Sequence, residues 1–318
     1  MSSCSRLLDG VSLDLILTDW LKIYITEILV ILKVHGKNVL EGNIAEMKWA
    51  IWRRNQDDIS GDIDDEEDKA DEDCAIIAKT LKNTASRTEL EKLIKEVLIF
   101  HCVPSHPNLA QVIAIASFGK FTRLADIVDF PLICYKHQGF GNLKQFLQLC
   151  QENENIEPSK EEYRSLRTHE VVSMAMQILS AIIHLHKHGV IHKDIAARNC
   201  LVSEKNHGTT NRLFVQLCDS ALAKDFFPND YYYFNNNEAK PIKWMAYESL
   251  RSNSFSKSTD VWSFGVTLWE LSSCGQQPFD AIDPGNIITV LEQGSRLPQP
   301  YNCPDELYWL YYIGLKEK

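Results

Sequence analysis

The sequence has no Cys-x-x-Cys pair, no basic stripe and no long hydrophobic run free of charge. Each absence removes a class of protein. Nine cysteines stand scattered at 4, 74, 102, 134, 150, 200, 218, 274 and 303, without the paired spacing of a zinc or redox motif. An odd, dispersed set predicts reduced thiols in an intracellular compartment rather than a disulfide framework. Without clustered lysines and arginines there is no electrostatic footprint for nucleic acid. Residues 11–34 are apolar, but Asp14, Asp19, Lys22, Glu27 and Lys33 interrupt them, and charges are costly in a bilayer core. An amphipathic or packing helix is predicted there, not a span. The first ten residues lack the basic and then apolar order of a secretory signal. No internal repeat is visible.

Negative charge is present but confined. Asp57 to Asp73 holds eleven acids against Lys69, a net −10 that equals the charge of the whole chain. The acidity therefore belongs to one insert and says nothing about the partners of the rest. A like-charged block with few apolar residues cannot offset the entropy of ordering, so a solvated, disordered insert is predicted over 54–73. At 318 residues, 45% of them hydrophobic, the chain can bury one large core or two modest ones.

Strand patterns dominate the first part. Val39 to Arg53 reads as two short strands around a turn, and Cys74 to Lys82 as a buried strand. Leu90, Leu93, Ile94, Val97 and Leu98 have the spacing of an amphipathic helix, and strands are predicted near 110–117 and 131–135. From Gly141 helices take over, at 143–150, 169–188, 258–273 and 284–293. The class predicted is α+β, with a small β-rich N-lobe over 38–135 and a larger helical C-lobe over 141–308. An N-terminal helix or extension occupies 1–37, and residues 309–318 form an atypical C-terminal end.

Three motifs carry chemistry. His192-Lys-Asp-Ile-Ala-Ala-Arg-Asn199 resembles a protein-kinase catalytic loop, His-Arg-Asp followed by Asn. Pro241-Ile-Lys-Trp-Met-Ala-Tyr-Glu248 resembles the segment that ends in Ala-Pro-Glu, and Asp260-Val-Trp-Ser-Phe-Gly265 the helix that follows. Any one alone is weak; their common register predicts a bilobal protein-kinase-like fold. The Ala-Ala-Arg form at 196–198 resembles tyrosine kinases. Asp219 to Tyr231, Ala281 to Pro284 and Gln299 to Leu307 resemble the Ryk/Derailed family of receptor tyrosine-kinase-like Wnt receptors. That likeness covers about 38–308 and is strong only in the C-lobe.

The resemblance implies roles. Asp194 would accept a substrate hydroxyl proton, Asn199 would hold Asp194, and Asn199 and Asp219 would ligate Mg2+. Arg198 joins the catalytic set, and Lys79 would pair with ATP phosphates and with Glu96, Glu91 being the competitor. Gly42, Ile77 and Leu201 fall on the nucleotide side. Several of these positions depart from the pattern. Only Gly42 remains of three loop glycines, with Glu46 adding charge, and a plain hairpin fits that stretch as well as a nucleotide lid. Ile77 stands where most kinases use Ala, and overfilling a packed site costs about 1–3 kcal/mol. Asp219-Ser220-Ala221 replaces Asp-Phe-Gly, and Ala221 disfavours the positive φ that Gly allows. Lys193 replaces Arg and loses its planar fork.

Tyr231, Tyr232 and Tyr233 are candidates for regulation by phosphorylation, with an active tyrosine kinase acting in trans, or an aromatic run that merely packs. The family's extracellular part and span are outside the sequence, so the expectation is the cytoplasmic, intracellular part of a single-pass plasma-membrane receptor with protein partners in receptor signalling. The end at Lys318 implies truncated C-terminal helices and a buried Glu248 left without its arginine, at a cost of several kcal/mol. Three functions stay open: a pseudokinase scaffold, a slow tyrosine kinase using ATP and Mg2+, and a non-functional fragment.

Overall fold

The computed structural model describes residues 33–52, 74–116, 130–137, 139–152, 166–207, 210–233, 238–301 and 303–314. The acidic insert at 54–73, residues 11–32 of the predicted N-terminal helix and residues 315–318 lie outside them. The described residues divide into two units, one of residues up to 102 with 111–138, the other of 103–110 with residues from 139 onward.

The first unit is an antiparallel sheet of β1 (Lys33–Glu41), β2 (Ala45–Trp52), β3 (Cys74–Leu81), β4 (Val112–Ala116) and β5 (Leu132–Lys136). Its order is β1-β2-β3-β5-β4. Alternation along β3 sorts its side chains: Ile76 and Ala78 join Ala50, Ala114 and Cys134 in one core cluster, which leaves Ile77 and Lys79 on the opposite face. Helix α1 (Arg87–His101) starts at a capping box, in which the Glu89 N–H donates to Ser86 Oγ at 3.3 Å and the Ser86 N–H to Glu89 Oε2 at 2.5 Å. Its predicted stripe, Leu90, Leu93, Ile94, Val97 and Leu98, is fully buried. Residues 33–37 belong to β1, so the boundary drawn at 38 falls inside that strand.

The second unit carries β6 (Gly141–Asn142), α2 (Leu143–Glu152), α3 (Thr168–Lys187), β7 (Cys200–His207) and β8 (Thr210–Leu217). After them come α4 (Ala223–Phe226), β9 (Tyr232–Tyr233), β10 (Ala239–Lys240), α5 (Tyr247–Ser252), α6 (Lys257–Ser272), α7 (Ile287–Glu292) and α8 (Asp305–Gly314). Helix α6 is buried nearly all round, including Asp260, Thr267 and Glu270. Helix α8 runs across the boundary drawn at 308, so 309–314 continue a helix. Among the described residues, no helix is long and apolar enough to cross a membrane.

Residues 103–110, assigned from sequence to the N-lobe, pack with the helical unit. The Leu217 N–H donates to Asn108 O at 2.8 Å and the Ala110 N–H to Leu217 O at 2.9 Å. Asn108 Nδ2 reaches Val215 O at 2.9 Å, and His184 Nε2 lies 2.8 Å from Pro104 O. Hydrophobic periodicity cannot see this, because eight residues between a helix and a strand look the same whichever core they join.

Candidate functional site

The loop from His192 to Asn199 is held from beneath by one buried carboxylate. Asp260 accepts the His192 N–H at 2.8 Å and the Lys193 N–H at 2.9 Å, and meets His186 Nε2 at 2.8 Å. Lys193 takes φ 71° there, a left-handed conformation that a non-glycine residue adopts only when its surroundings impose it. Its ammonium lies 5.6 Å over the Phe255 ring. His192 Nε2 is 2.9 Å from Cys218 O, which ties the loop to the end of β8.

A single 3-10 turn, Ala197–Asn199, then brings the predicted residues together. Asn199 Nδ2 donates to Asp194 O at 2.7 Å and to Asp194 Oδ2 at 2.8 Å. Arg198 Nη2 donates to Asp194 Oδ1. Tyr231, from the segment after β8, donates its hydroxyl to Asp194 Oδ2 at 2.5 Å and accepts from Arg198 Nε at 2.9 Å. The guanidinium is packed between rings, 4.7 Å from the Tyr231 centroid and 4.3 Å from that of Trp244. Leu201, next along β7, is buried.

Residues that the sequence left unmarked complete the cluster. Lys144, second in α2, donates to both oxygens of Asp230 at 2.7 and 2.6 Å. Arg198 Nη1 reaches the same carboxylate at 3.3 Å. Glu270 Oε2 accepts the Ala197 N–H at 3.0 Å and Trp244 Nε1 at 2.9 Å, while Oε1 is buried with no hydrogen-bond partner. Burial pushes the Glu270 carboxyl up from its ordinary pKa, opposed by Lys144 and the Ala197 N–H. Burial likewise pushes the Tyr231 phenol well up, and Asp194 adds to that.

After β8 the Asp219 carboxylate is buried and accepts the Ala221 N–H at 3.1 Å. Ala221 does not take the positive φ expected of that position; Leu222 takes it instead, at 66°, ahead of α4. Asn199 spends its amide hydrogens on Asp194, which leaves Oδ1 as its ligand atom, and Asp219 offers a carboxylate. Both are hard oxygen donors that fit Mg2+, an ion that prefers a few protein ligands and completes its shell with waters or phosphates. Among the described residues, no group of three or more His, Cys, Asp or Glu is placed to hold a metal ion.

In the sheet unit Lys79 is buried, with Nζ 5.0 Å over the ring of the equally buried Tyr135. Ile77 faces Tyr135 in register and is fully buried. Glu96 and Glu91 are on the exposed face of α1. The turn after β1 is a closed hairpin: the Gly42 N–H donates to Ala45 O at 3.0 Å, and Lys82 Nζ clamps Gly42 O at 2.7 Å and Glu41 Oε1 at 2.9 Å. Glu46 pairs with Lys48 at 2.5 Å, so its charge is offset. Glu248, expected to be a buried orphan, is exposed on the first turn of α5, and the cost of several kcal/mol does not arise. Tyr247, in the place of Pro, reaches Glu292 at 2.6 Å.

The family model described as protein tyrosine and serine/threonine kinase matches residues 35–316. The inactive tyrosine-protein kinase RYK of Caenorhabditis elegans is 48% identical over 269 residues, 85% of this chain and 45% of that protein. The tyrosine-protein kinase Drl of Drosophila melanogaster is 40% identical over 74% of this chain and 35% of its own length. Human tyrosine-protein kinase RYK is 37% identical over 78% of this chain and 37% of its own length. The chain therefore spans less than half the length of each of these relatives.

Proposed function

The chain belongs to the protein tyrosine and serine/threonine kinase family, as a Ryk-type tyrosine-kinase-like domain, and from that premise we propose that it is a pseudokinase scaffold with impaired phosphoryl transfer. The observation that carries this reading is the packing around Lys79. The lysine that would meet ATP phosphates lies over the Tyr135 ring, on a strand face filled by Ile77 and Tyr135, both buried to 1% exposure or less. A cation engaged by an aromatic face is already partly compensated, and adding an adenine ring to a close-packed face requires side chains to move. The closed hairpin at Gly42, clamped by Lys82, supports the same conclusion. In a receptor setting such a domain would recruit partners on the cytoplasmic side, among them an active tyrosine kinase, and a Wnt signal would enter through parts beyond this sequence.

ATP bound with Mg2+ would supply a transferable phosphoryl group; Asn199 and Asp219 would hold the ion, and Asp194 would orient a hydroxyl and take its proton. The contacts of Asp194 with Arg198 and Asn199 favour a second reading, a slow tyrosine kinase. Thermal melting with millimolar Mg-ATP separates the two. The scaffold reading expects no shift for the wild type and a gain for the double variant Ile77→Ala, Tyr135→Thr. Phosphorylation of a tyrosine peptide by the wild type, abolished in Asp194→Asn, would overturn it.

A further inference from the structure

Helix α3 buries one side in the core, with Met174, Ile178, Ala181, Ile182 and Leu185. Its outer side is apolar as well. Val172 is 39% exposed, Met176 60% and Ile183 60%, and Leu179 is half-buried among them. These four follow one another in steps of four, three and four residues, so at about 100° per residue they fall within about 60° of arc. That is the step pattern of a coiled-coil seam. The row is about 17 Å long at 1.5 Å per residue. Isolated apolar side chains on a surface are ordinary. Leu149 on α2 and Val261 on α6 are of that kind, each the single exposed large apolar residue of its helix among the described residues. An aligned row is different, because a second helix can cover all of it at once. Ser173 and Ser180 beside the row are short, which suits the separation of about 8–10 Å at which helices pack.

Charge selects what covers it. From Val171 to His186 the helix has no Asp, Glu, Lys or Arg. Cations stand at the two ends, Arg167 and Lys187, both exposed. The acid of the first turn, Glu170, is buried and turned back to accept the Arg167 N–H at 2.9 Å. A second copy of α3 is therefore a poor occupant. Antiparallel pairing sets residue 172 opposite 183, and so each Lys187 opposite residue 168, beside Arg167. Parallel pairing sets each cation against itself. Both arrangements bring like charges together, whereas a helix with carboxylates at its two ends pairs every charge.

We propose that this face of α3 is a docking seam for an amphipathic helix of a partner protein. The partner lays apolar residues against Val172, Met176, Leu179 and Ile183 and sets Asp or Glu beside Arg167 and Lys187. Recognition of this kind reads apolar anchors on successive turns. Met176, unbranched and central in the row, can adjust to the side chains that meet it. The seam goes beyond the scaffold reading, since it gives a place where a partner is held. It needs no nucleotide, so either reading can fail without the other.

The test uses the full chain without nucleotide and two fluorescent synthetic peptides, each a helix of about eighteen residues that matches the length of α3 from 169 to 187. Both carry the same apolar row; one has Glu and the other Lys at its ends. By fluorescence anisotropy the wild type should bind the Glu peptide at least about tenfold tighter than the Lys peptide. Met176→Glu and Ile183→Glu should each weaken binding at least about tenfold, and Leu149→Glu should leave it unchanged. The double variant Arg167→Glu, Lys187→Glu should reverse the preference between the peptides. Thermal melting checks that each variant is folded, and Met176→Gln, neutral and helix-compatible, replaces any glutamate variant that is not. Equal affinity for both peptides, binding unchanged by a folded Met176 variant, or no binding at all overturns the proposal. So does a dimer in sedimentation that Met176→Glu dissolves, which would make a second copy the occupant. Binding gained only in Leu21→Asp, Ile28→Asp would assign the seam to residues 11–32 of the chain itself and overturn it too.

Discussion

Glu270 shows how one buried side chain can support the loop from His192 to Asn199 from behind. Its Oε2 accepts from the Ala197 N–H and from Trp244, while its other oxygen is buried without a partner. Glu270→Gln retains an acceptor for both donors and should change stability by less than about 1 kcal/mol, whereas Glu270→Ala strands both and should cost about 3 kcal/mol in urea denaturation. The two also differ with pH. Burial raises the native pKa of Glu270, so the folded chain holds this proton more tightly than the unfolded one. Its stabilising contribution is full in acid and is lost as pH rises through the native pKa. Urea midpoints should therefore shift in favour of Glu270→Gln as pH rises through the native pKa and level off above it; a constant difference would contradict this. None of it was legible beforehand, since a glutamate in an apolar helix reads as a solvated face. Asp194, Arg198 and Asn199 were legible because their chemistry dictates their spacing.

Helices and strands were the most readable elements, and α1 shows why. Its buried stripe and its capping box are both written locally, in Leu90 to Leu98 and in Ser86 and Glu89. The box predicts that Ser86→Ala, an exposed change, lowers stability by about 1 kcal/mol. Chemical denaturation showing no loss would mean that the cap contributes nothing. Lys144 marks the limit of such reading. It lies between Leu143 and Phe146 in α2, where pattern assigns a lysine to solvent, yet it is 5% exposed because Asp230, eighty-six residues away in sequence, comes to meet it. Long-range ion pairs leave no periodic trace. The left-handed Leu222 is equally silent, because only the path of the chain after Asp219 demands it.

Across the whole molecule the cysteines report on the folded state. Cys134, Cys150, Cys200 and Cys218 are buried free thiols and Cys102 is exposed. Burial pushes the Cys134 thiol up to about 12, where little reactive thiolate exists at neutral pH. A thiol reagent should label Cys102 in the native protein at once and those four only on unfolding, which mapping by mass spectrometry checks. Early labelling of Cys134 or Cys200 would show that the units open without global unfolding.

The strap at 103–110 has a consequence in time. Its backbone partner Leu217 follows Ala110 by about a hundred residues, which at about 5–20 residues per second is roughly 5–20 s of translation. During that interval the ribosome holds a finished α1 followed by a strap whose Leu109 and Ala110 have no core to enter. The chain leaves the first unit for the strap, returns to finish that unit by residue 138, and only later makes what the strap needs. Nascent chains of this protein should accordingly depend on chaperones longest between the synthesis of residue 110 and that of 217.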